Sequence, residues 1–277
     1  MLDTIYLNGA YLSRNAATLH VSDLSILRGY GVFDYFRYRS GRPRFVSDHA
    51  ARFRRSAEGL HLPLDYTDAE LQQIVEELIH RNGGGDGGIR FVLTGGYAED
   101  GYTPRDPNFL ALPYAFSQPA EFYYEKGCTV LLHRYERQLP RIKSIDYIEG
   151  IRIQPALKRV GAQYPLYVDR DGHVRESDRS NFMIVREGKL IAPVEDILLG
   201  ITRHHLLKLA AEMGISIEER KVTTSELLAA DEAIICSSVK GAMPITQIVS
   251  GSTFSNRAFG SPGPFTLQLM EAWKAYE

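Results

Sequence analysis

Strand-like and helix-like segments are mixed along this chain without the regular alternation that a doubly wound parallel sheet requires. Several strand-like runs come in pairs joined by two-residue turns, for example at Asn8-Gly9 and at Ser40-Gly41. Such residues adopt the positive φ angles that short hairpin turns need. The pattern therefore predicts a mixed α/β fold of the α+β kind, in which antiparallel strand pairs occur together with helices.

Two segments in the first third have the spacing of amphipathic helices. In "SDHAARFRRSAEG", Ser47 is placed to cap the helix and Gly59 to end it, and "DAELQQIVEELIHRNG" forms the second helix. The stretch 117–127 has turn-forming residues and no clear period. We therefore predict a small N-terminal domain over residues 1–118 and a larger C-terminal domain over residues 119–277.

Composition excludes several classes of protein. The 277 residues carry a formal net charge of −2 with no block of like charges, so we expect no nucleic-acid partner. Cys128 and Cys236 lie in apolar runs and are predicted to be buried thiols, as in a reducing compartment. There is no signal-peptide pattern and no apolar run long enough to span a bilayer. These observations predict a cytoplasmic protein with no membrane partner.

Three further motifs do not predict a site. The Gly-rich stretch 82–88 is not followed by the Gly-Lys-Ser/Thr of a phosphate-binding loop. His204 and His205 are adjacent on a helix and face different directions, without metal-ligand spacing. Ser177 and Ser180 lack the strand-turn-helix pattern of a nucleophile elbow. No metal site is therefore expected.

A lysine in "RIKSIDYIEG" needs an explanation. Lys143 lies between the apolar residues Ile142 and Ile145. Burial of an amine is unfavourable unless a partner or a reaction uses it. Taken alone, Lys143 is either an exposed residue at a strand end or a reactive amine whose pKa is lowered by an apolar pocket.

Four separated stretches together carry a family resemblance. They are "DHAARFRRS", "RIKSIDY", "VRESDRSNF" and "LLGITRHHL", and the similarity continues from "YLNGAYL" to "ADEAIICSSVKGAMPITQI". In order and spacing they resemble the class IV aminotransferases, which are fold-type IV pyridoxal-phosphate enzymes. The resemblance implies a pyridoxal 5'-phosphate cofactor held between the two domains.

The resemblance implies a role for each matching residue. Lys143 matches the Schiff-base lysine, Glu176 matches the glutamate that faces the pyridine nitrogen, and Arg52 matches the phosphate-binding arginine. Taken alone, Glu176 would be interpreted as a solvated turn residue and Arg52 as a surface arginine. The resemblance also implies contacts with other parts of the cofactor: the phenolic oxygen for Tyr147, the ring for Leu198, and the phosphate for Ile201, Thr202 and Ser238. Core packing is the alternative for Leu198.

The chain departs from the known D-amino acid enzymes of this family in one loop. They resemble each other in an Arg-x-His pair that binds the substrate carboxylate, whereas "GYAEDGYTPR" has no histidine and a single late arginine, Arg105. Arg28, Arg90 and Arg179 lie in segments that align with the pocket wall. We expect these three arginines to form a rebuilt carboxylate-binding site, with Arg105 as the next candidate.

The resemblance predicts a transaminase that moves an amino group from an amino acid to a 2-oxo acid such as 2-oxoglutarate or pyruvate. A D-amino acid is expected as donor, with D-glutamate favoured by the arginines. The alternatives are a branched-chain L-amino acid aminotransferase, an aminodeoxychorismate lyase and a pyridoxal-phosphate-binding protein without activity. Because Arg28 lies in a loop that reaches a neighbouring subunit in this family, we expect a homodimer with shared active sites.

Overall fold

A computed structural model describes residues 1–251 and 255–276 of the chain. The chain forms two compact units. Unit 1 comprises Met1–Ser117 and Ile142–Asp146, and unit 2 comprises Gln118–Arg141 and Tyr147–Glu277. The short segment Ile142–Asp146 was expected in the C-terminal domain, and this part of the expectation is wrong.

Unit 1 is built on a six-stranded sheet with the strand order β2-β1-β6-β5-β3-β4, in which the neighbouring strands are antiparallel. Its strands are β1 (Thr4–Leu7), β2 (Ala10–Ser13), β3 (Gly31–Arg39), β4 (Arg42–Pro43), β5 (Gly87–Thr94) and β6 (Phe109–Ala115). Its helices are α1 (Leu24–Arg28), α2 (Val46–Gly59) and α3 (Asp68–Arg81).

The hairpin predictions in unit 1 are confirmed. Asn8 and Ser40 take positive φ angles of 45° and 48° at the turns between β1 and β2 and between β3 and β4. The predicted cap is wrong: α2 begins at Val46, and Phe45 holds the N-cap position without a side-chain hydrogen bond. Ser47 is already inside the first turn of α2, so its hydroxyl lies past the position from which a side chain caps a helix.

The two faces of the sheet in unit 1 differ in exposure, as the side chains of strand β3 show. Val32, Phe36 and Tyr38 have no exposed area and belong to the core with α2 and α3. Phe33 and Tyr35 alternate with them and are half-buried. Since successive side chains of a strand point to opposite faces, Phe33 and Tyr35 lie on the open face.

The segment Ile142–Asp146 joins unit 1 through backbone contacts with β3. Ser144 forms an isolated antiparallel bridge with Val32. The N–H of Phe33 donates to the carbonyl of Lys143 at 2.9 Å. These bonds join residues that are about a hundred positions apart, so no local pattern could have placed the segment.

Unit 2 is built on a ten-stranded sheet of mixed direction, with the order β12-β11-β10-β14-β15-β7-β8-β9-β13 and with β16 beside β15. Its strands are β7 (Cys128–Arg134), β8 (Tyr164–Val168), β9 (His173–Val174), β10 (Asn181–Arg186), β11 (Lys189–Ala192), β12 (Ser216–Glu219), β13 (Val222–Thr223), β14 (Glu232–Ser237), β15 (Gly241–Ser250) and β16 (Arg257–Ala258). Its helices are α4 (Phe122–Glu125), α5 (Ile148–Arg152), α6 (Gln154–Val160), α7 (Ile201–Glu212), α8 (Thr224–Leu228) and α9 (Pro264–Tyr276).

The pairing of β10 with β14 brings together two segments of unit 2 that carry predicted site residues. β10 and β14 are antiparallel, and Asn181 at the start of β10 pairs with Cys236 near the end of β14. The segment that precedes β10 and the turn that follows β14 therefore lie at the same end of these two neighbouring strands. Both cysteines are buried and free, as predicted. Among the described residues, no helix is long and apolar enough to cross a membrane.

Candidate active site

Lys143 is held in unit 1 by its own backbone. Its carbonyl accepts from Phe33, and its N–H donates to the hydroxyl of Ser56 at 3.1 Å. The side chain is half-buried, and its Nζ lies 4.5 Å from the centroid of the Phe33 ring. Lys143 is therefore not an exposed residue at a strand end. The fold fixes its Cα and leaves the amine against an aromatic face.

The lysine segment also packs against the end of helix α2. Gly59 closes the helix, and a Cβ on it would lie 2.7 Å from the Cδ1 of Ile142. This is closer than carbon atoms approach, so a larger residue at position 59 would require the end of the Ile142 side chain to move. Gly59 thus ends the helix and lies against the side chain that precedes Lys143.

Arg52 lies beside a buried carboxylate on β3. Its Nε and Nη2 donate to the two oxygens of Asp34 at 2.8 and 2.7 Å. His49 is joined to the same carboxylate through Nδ1 at 2.8 Å. Arg52, His49 and Asp34 are 6%, 2% and 0% exposed. The surface-arginine alternative for Arg52 is therefore wrong.

The charges in this cluster follow from its burial. Burial alone would raise the pKa of the Asp34 carboxyl, but the charge of Arg52 and the hydrogen bonds from Arg52 and His49 hold it well below its usual range. Burial lowers the pKa of His49, and the attraction of Asp34 does not offset this. His49 is thus neutral near pH 7 and donates from Nδ1 to the carboxylate.

One nitrogen of Arg52 is left for a ligand. With Nε and Nη2 occupied by Asp34, the Nη1 group makes no hydrogen bond to residues 1–251 or 255–276. A guanidinium that is fixed on one side by a carboxylate can present its other side to a phosphate oxygen.

Glu176 is buried in unit 2, at 4% exposure, with both oxygens engaged. Oε1 accepts from Nη1 of Arg137 at 2.9 Å, and Oε2 accepts from the N–H of Leu198 at 3.0 Å. Asn181 donates weakly to Oε2 at 3.3 Å and more closely to the carbonyl of Leu198 at 2.8 Å. These contacts suit an ionised carboxylate and fix its orientation. The solvated-turn alternative for Glu176 is wrong.

The start of helix α7 offers unpaired backbone donors. The N-cap residue is Gly200, which has no side chain to cap the helix. A Cβ at Gly200 would lie 2.1 Å from Oδ1 of Asn181, so the position requires glycine. The N–H groups of Ile201 and Thr202 have no partner in the part of the chain that the structure describes.

Two hydroxyls and a phenol complete the predicted set in unit 2. Thr202 is buried in the first turn of α7, and Ser238 is half-buried in the turn after β14. Tyr147 is half-buried, and burial raises its pKa to about 12, so its phenol stays protonated at neutral pH and can donate a hydrogen bond. Leu198 is also half-buried, and its backbone is fixed by Glu176 and Asn181.

One of the three predicted substrate arginines shares an aromatic neighbour with Lys143 within unit 1. Arg90 is exposed on β5, and its Cζ lies 5.4 Å from the centroid of the Phe33 ring. The Nζ of Lys143 lies 4.5 Å from the centroid of the same ring, so the two cations are neighbours of one aromatic side chain.

The other two predicted arginines have local contacts within their own units. Arg28 ends helix α1 and is exposed, with its Nη2 3.9 Å from the Cβ position of Gly101 in the altered loop. Arg179 of unit 2 is exposed and donates from Nε to Asp178 at 3.0 Å. Arg105 is exposed, and its N–H donates to Gly95.

Known proteins are similar to this chain over nearly its whole length. The sequence model of the family described as "Amino-transferase class IV" matches residues 31–248. The chain belongs to this family. It is 29% identical to a D-alanine aminotransferase of Bacillus licheniformis, over 97% of the chain and 95% of that protein. It is 30% identical to a putative branched-chain-amino-acid aminotransferase of Methanocaldococcus jannaschii, over 98% of the chain and 95% of that protein.

Comparison of structures places the chain among the same folds. The T.th. branched-chain amino acid aminotransferase, solved with pyridoxamine 5'-phosphate, superposes with a TM-score of 0.89. The superposition covers 99% of this chain and 93% of that one, at 22% identity. The fold is therefore that of the fold-type IV aminotransferases, as predicted.

Class IV aminotransferases use pyridoxal 5'-phosphate, which is the cofactor of this chain. The donor chemistry fits it. In unit 2, a phosphate dianion suits the uncapped first turn of α7, a helix of 12 residues. In unit 1, taken by itself, the remaining nitrogen of Arg52 suits a phosphate oxygen. A pyridine N–H suits a buried carboxylate such as Glu176. Bound in this way, the cofactor would supply an electron sink for the bond-breaking step.

Two charged partners in these clusters were missed by the sequence analysis. Asp34 and Arg137 each bind a predicted residue that is distant in sequence, 18 and 39 positions away. A sequence signal existed for Asp34, because it interrupts an alternating strand on the apolar face. For Arg137 there was none.

Proposed function

We propose that this aminotransferase acts on D-amino acids, with D-glutamate as the favoured donor and 2-oxoglutarate or pyruvate as the acceptor. The observation that carries the proposal is the contact of Arg90 and Lys143 with one ring, that of Phe33. The α-carboxylate of a substrate is two bonds away from the amino group that is exchanged, so a cation close to the reactive lysine suits it. The 29% identity to a D-alanine aminotransferase supports the D-configuration.

We assign the residues as follows. Lys143 binds the cofactor covalently through Nζ and carries the proton to and from the substrate α-carbon. Glu176 keeps the pyridine nitrogen protonated, and its contacts with Arg137 and Leu198 hold it in place. The proposed phosphate ligands are Arg52, Ile201, Thr202 and Ser238, and the proposed contacts to the ring are Tyr147 at the phenolic oxygen and Leu198 on one face.

We also propose that Arg28, Arg90 and Arg179 bind the substrate carboxylates in a homodimer. In support, Ile26 and Leu27, which precede Arg28 on α1, are 58% and 40% exposed. Exposed apolar side chains of this size are typical of a surface that a second subunit covers. Light scattering of the cofactor-loaded protein should give twice the chain mass, and an active monomer would contradict the shared site.

A branched-chain L-amino acid aminotransferase is the second candidate, because the relative of Methanocaldococcus jannaschii carries that name at 30% identity. One experiment separates the candidates. The cofactor-loaded protein is mixed with D-glutamate, D-alanine, L-leucine or L-glutamate, and the change in cofactor absorbance is followed in single turnover. We expect the fastest change with D-glutamate. A faster reaction with L-leucine would overturn the proposal.

The role of Lys143 is tested by Lys143→Ala, with Lys158→Ala as the control, since Lys158 is exposed on α6. We expect Lys143→Ala to lose turnover by about a thousandfold or more, or at least about 4 kcal/mol in barrier, while binding cofactor weakly. The control should keep normal turnover. Transamination by Lys143→Ala at near the normal rate would exclude the assignment.

A further inference from the structure

Unit 2 buries a lysine that none of the functions above uses. Lys240 follows Ser238 in the turn between β14 and β15 and is 8% exposed. Its N–H donates to the carbonyl of Ser237 at 3.0 Å, and its carbonyl accepts from the phenol of Tyr124 at 3.0 Å. The backbone of Lys240 is thus fixed on both sides, so its side chain has a defined direction.

The ammonium group of Lys240 has no carboxylate partner. Nζ donates to the hydroxyl of Ser180 at 3.0 Å and lies 4.2 Å from the centroid of the Tyr164 ring. Throughout residues 1–251 and 255–276, no carboxylate forms an ion pair with it. An ammonium can donate three hydrogen bonds, and here it donates one to the described residues. A buried, uncompensated charge is unfavourable, so its presence points to an anion that comes from outside the chain.

One neighbour of Lys240, Ser180, belongs to the segment that carries proposed substrate and cofactor residues. Ser180 lies between Arg179, a proposed substrate residue, and Asn181, which contacts Glu176. Burial, followed by the charge of Arg179, lowers the pKa of Lys240 to about 8, so the amine is still mainly charged at neutral pH. Lys240 and Arg179 therefore form two neighbouring cations of unit 2.

Of these two cations, Lys240 is the one that no described carboxylate contacts, and the charge of Asp178 offsets only part of the effect of burial and of Arg179 on its pKa. The Nε of Arg179 is bonded to Asp178, whose side chain is 4% exposed. In unit 1, Arg90 is already the proposed partner of the α-carboxylate. A D-glutamate or 2-oxoglutarate molecule has a second carboxylate, for which the three arginines offer no uncompensated buried cation.

We infer that Lys240 is a specificity-determining residue that binds the side-chain carboxylate of a dicarboxylic substrate through Nζ, next to Arg179. This inference rests on the proposed function, since it concerns the substrate of the same site. It predicts that the enzyme distinguishes dicarboxylic from monocarboxylic substrates through a lysine of the β14–β15 turn. A charge-assisted hydrogen bond of this kind corresponds to about 10- to 100-fold in affinity.

The experiment compares Lys240→Met and Lys240→Gln with Lys208→Met in the cofactor-loaded enzyme. Lys208 on α7 is the control because it is also a lysine, but its side chain is 59% exposed and its Nζ has a carboxylate partner, Glu212, at 4.0 Å. The KM values for D-glutamate and D-alanine are measured for each protein, together with the affinity for the cofactor. Two substitutions are used so that a folding defect in one leaves the other to be tested.

We expect both Lys240 variants to raise the KM for D-glutamate about tenfold or more and to leave that for D-alanine within about twofold. Lys208→Met should change neither. Equal changes for both substrates would overturn the inference, because Lys240 would then bind the α-carboxylate. A loss of cofactor affinity with unchanged substrate selectivity would also overturn it and would place Lys240 at the cofactor phosphate.

A second measurement separates this inference from the proposed function. Glutarate and butyrate, which cannot be transaminated, are titrated into the loaded enzyme, and binding is followed through the cofactor absorbance. We expect glutarate to bind at least about tenfold more tightly than butyrate, and Lys240→Met to remove the difference. If the wild type prefers L-leucine yet keeps this selectivity, the proposed function fails and the role of Lys240 stands. Equal binding of glutarate and butyrate by the wild type overturns the role of Lys240.

Discussion

Each of the two units buries a cationic side chain, and the two cations differ in what surrounds them. Arg52 in unit 1 is 6% exposed and is held by both oxygens of Asp34. Lys240 in unit 2 is 8% exposed and contacts a hydroxyl and an aromatic ring. The two cations are similarly buried, but of the two only Arg52 is paired with a carboxylate. Arg52 therefore stabilises its own unit, whereas the charge of Lys240 is available to a ligand.

The difference has a physical consequence for stability. A paired buried charge becomes strongly unfavourable only when its partner is removed, because the remaining charge is then left in a low dielectric. An unpaired buried charge is unfavourable from the start, and its removal relieves the folded state. The comparison thus predicts stability changes of opposite sign at the two positions.

The largest expected effect is at Asp34. Asp34→Asn leaves the guanidinium of Arg52 buried without a carboxylate, and we expect a loss of about 3–5 kcal/mol in the free energy of unfolding. The matched control is Asp68→Asn, which breaks the ion pair to Arg54 at a position where Asp68 is 73% exposed. Urea unfolding of the control should stay within about 1 kcal/mol of the wild type. A similar result for both variants would remove the contrast between the clusters.

The next effect, of opposite sign, is at Lys240. Lys240→Met replaces a buried ammonium by an apolar chain of similar length, and we expect about 1–3 kcal/mol more stability at pH 7 in the absence of substrate. Together with the expected loss of D-glutamate affinity, this would show a residue kept for binding at the expense of stability. A less stable Lys240→Met protein would mean that its contacts to Ser180 and Tyr164 outweigh the buried charge.

The candidate site residues predicted from the sequence depend on short motifs. Lys143, Glu176 and Arg52 lie in stretches whose residues are adjacent in the chain, and the hairpin turns depend on two residues each. The pairing that gives these residues their surroundings is long-range. Asp34 and Arg52 are 18 positions apart, Arg137 and Glu176 are 39 apart, and Lys240 and Ser180 are 60 apart. Local spacing carries no information on such contacts.

The same limit applies to the boundary between the units. The segment Ile142–Asp146 lies within the predicted C-terminal domain in sequence and pairs with β3 in space. Composition identified the turn-forming stretch 117–127, but the long-range contacts with β3 and with Ser56 assign Lys143 to unit 1. The sequence therefore predicted a role for Lys143 without predicting which unit holds it.

The smallest expected effects are in the pH dependence of stability, and they extend the comparison to titration. The pKa of His49 is lowered in the fold by burial, so between its folded value and its unfolded value of about 6.5 the unfolded chain binds a proton that the folded chain does not. Stability should therefore fall as the pH decreases below about 6.5, by no more than about 1.4 kcal/mol per pH unit for one proton. Asp34, whose pKa is also lowered, adds to the loss below about pH 4.

Lys240 should act at the other end of the pH range. Its pKa is lowered from 10.5 to about 8 by burial, with Arg179 lowering it further and Asp178, Cys128 and Cys236 raising it. The buried charge therefore opposes folding fully below about pH 8, and the penalty disappears as the pH rises through that value toward 10.5. Thermal unfolding between pH 7 and pH 10 should show the stability advantage of Lys240→Met over the wild type shrinking, while any difference for Lys208→Met stays constant. An advantage that is independent of pH would mean that the pKa of Lys240 is not lowered in the fold, and its buried charge would then not be the cause of the stability difference.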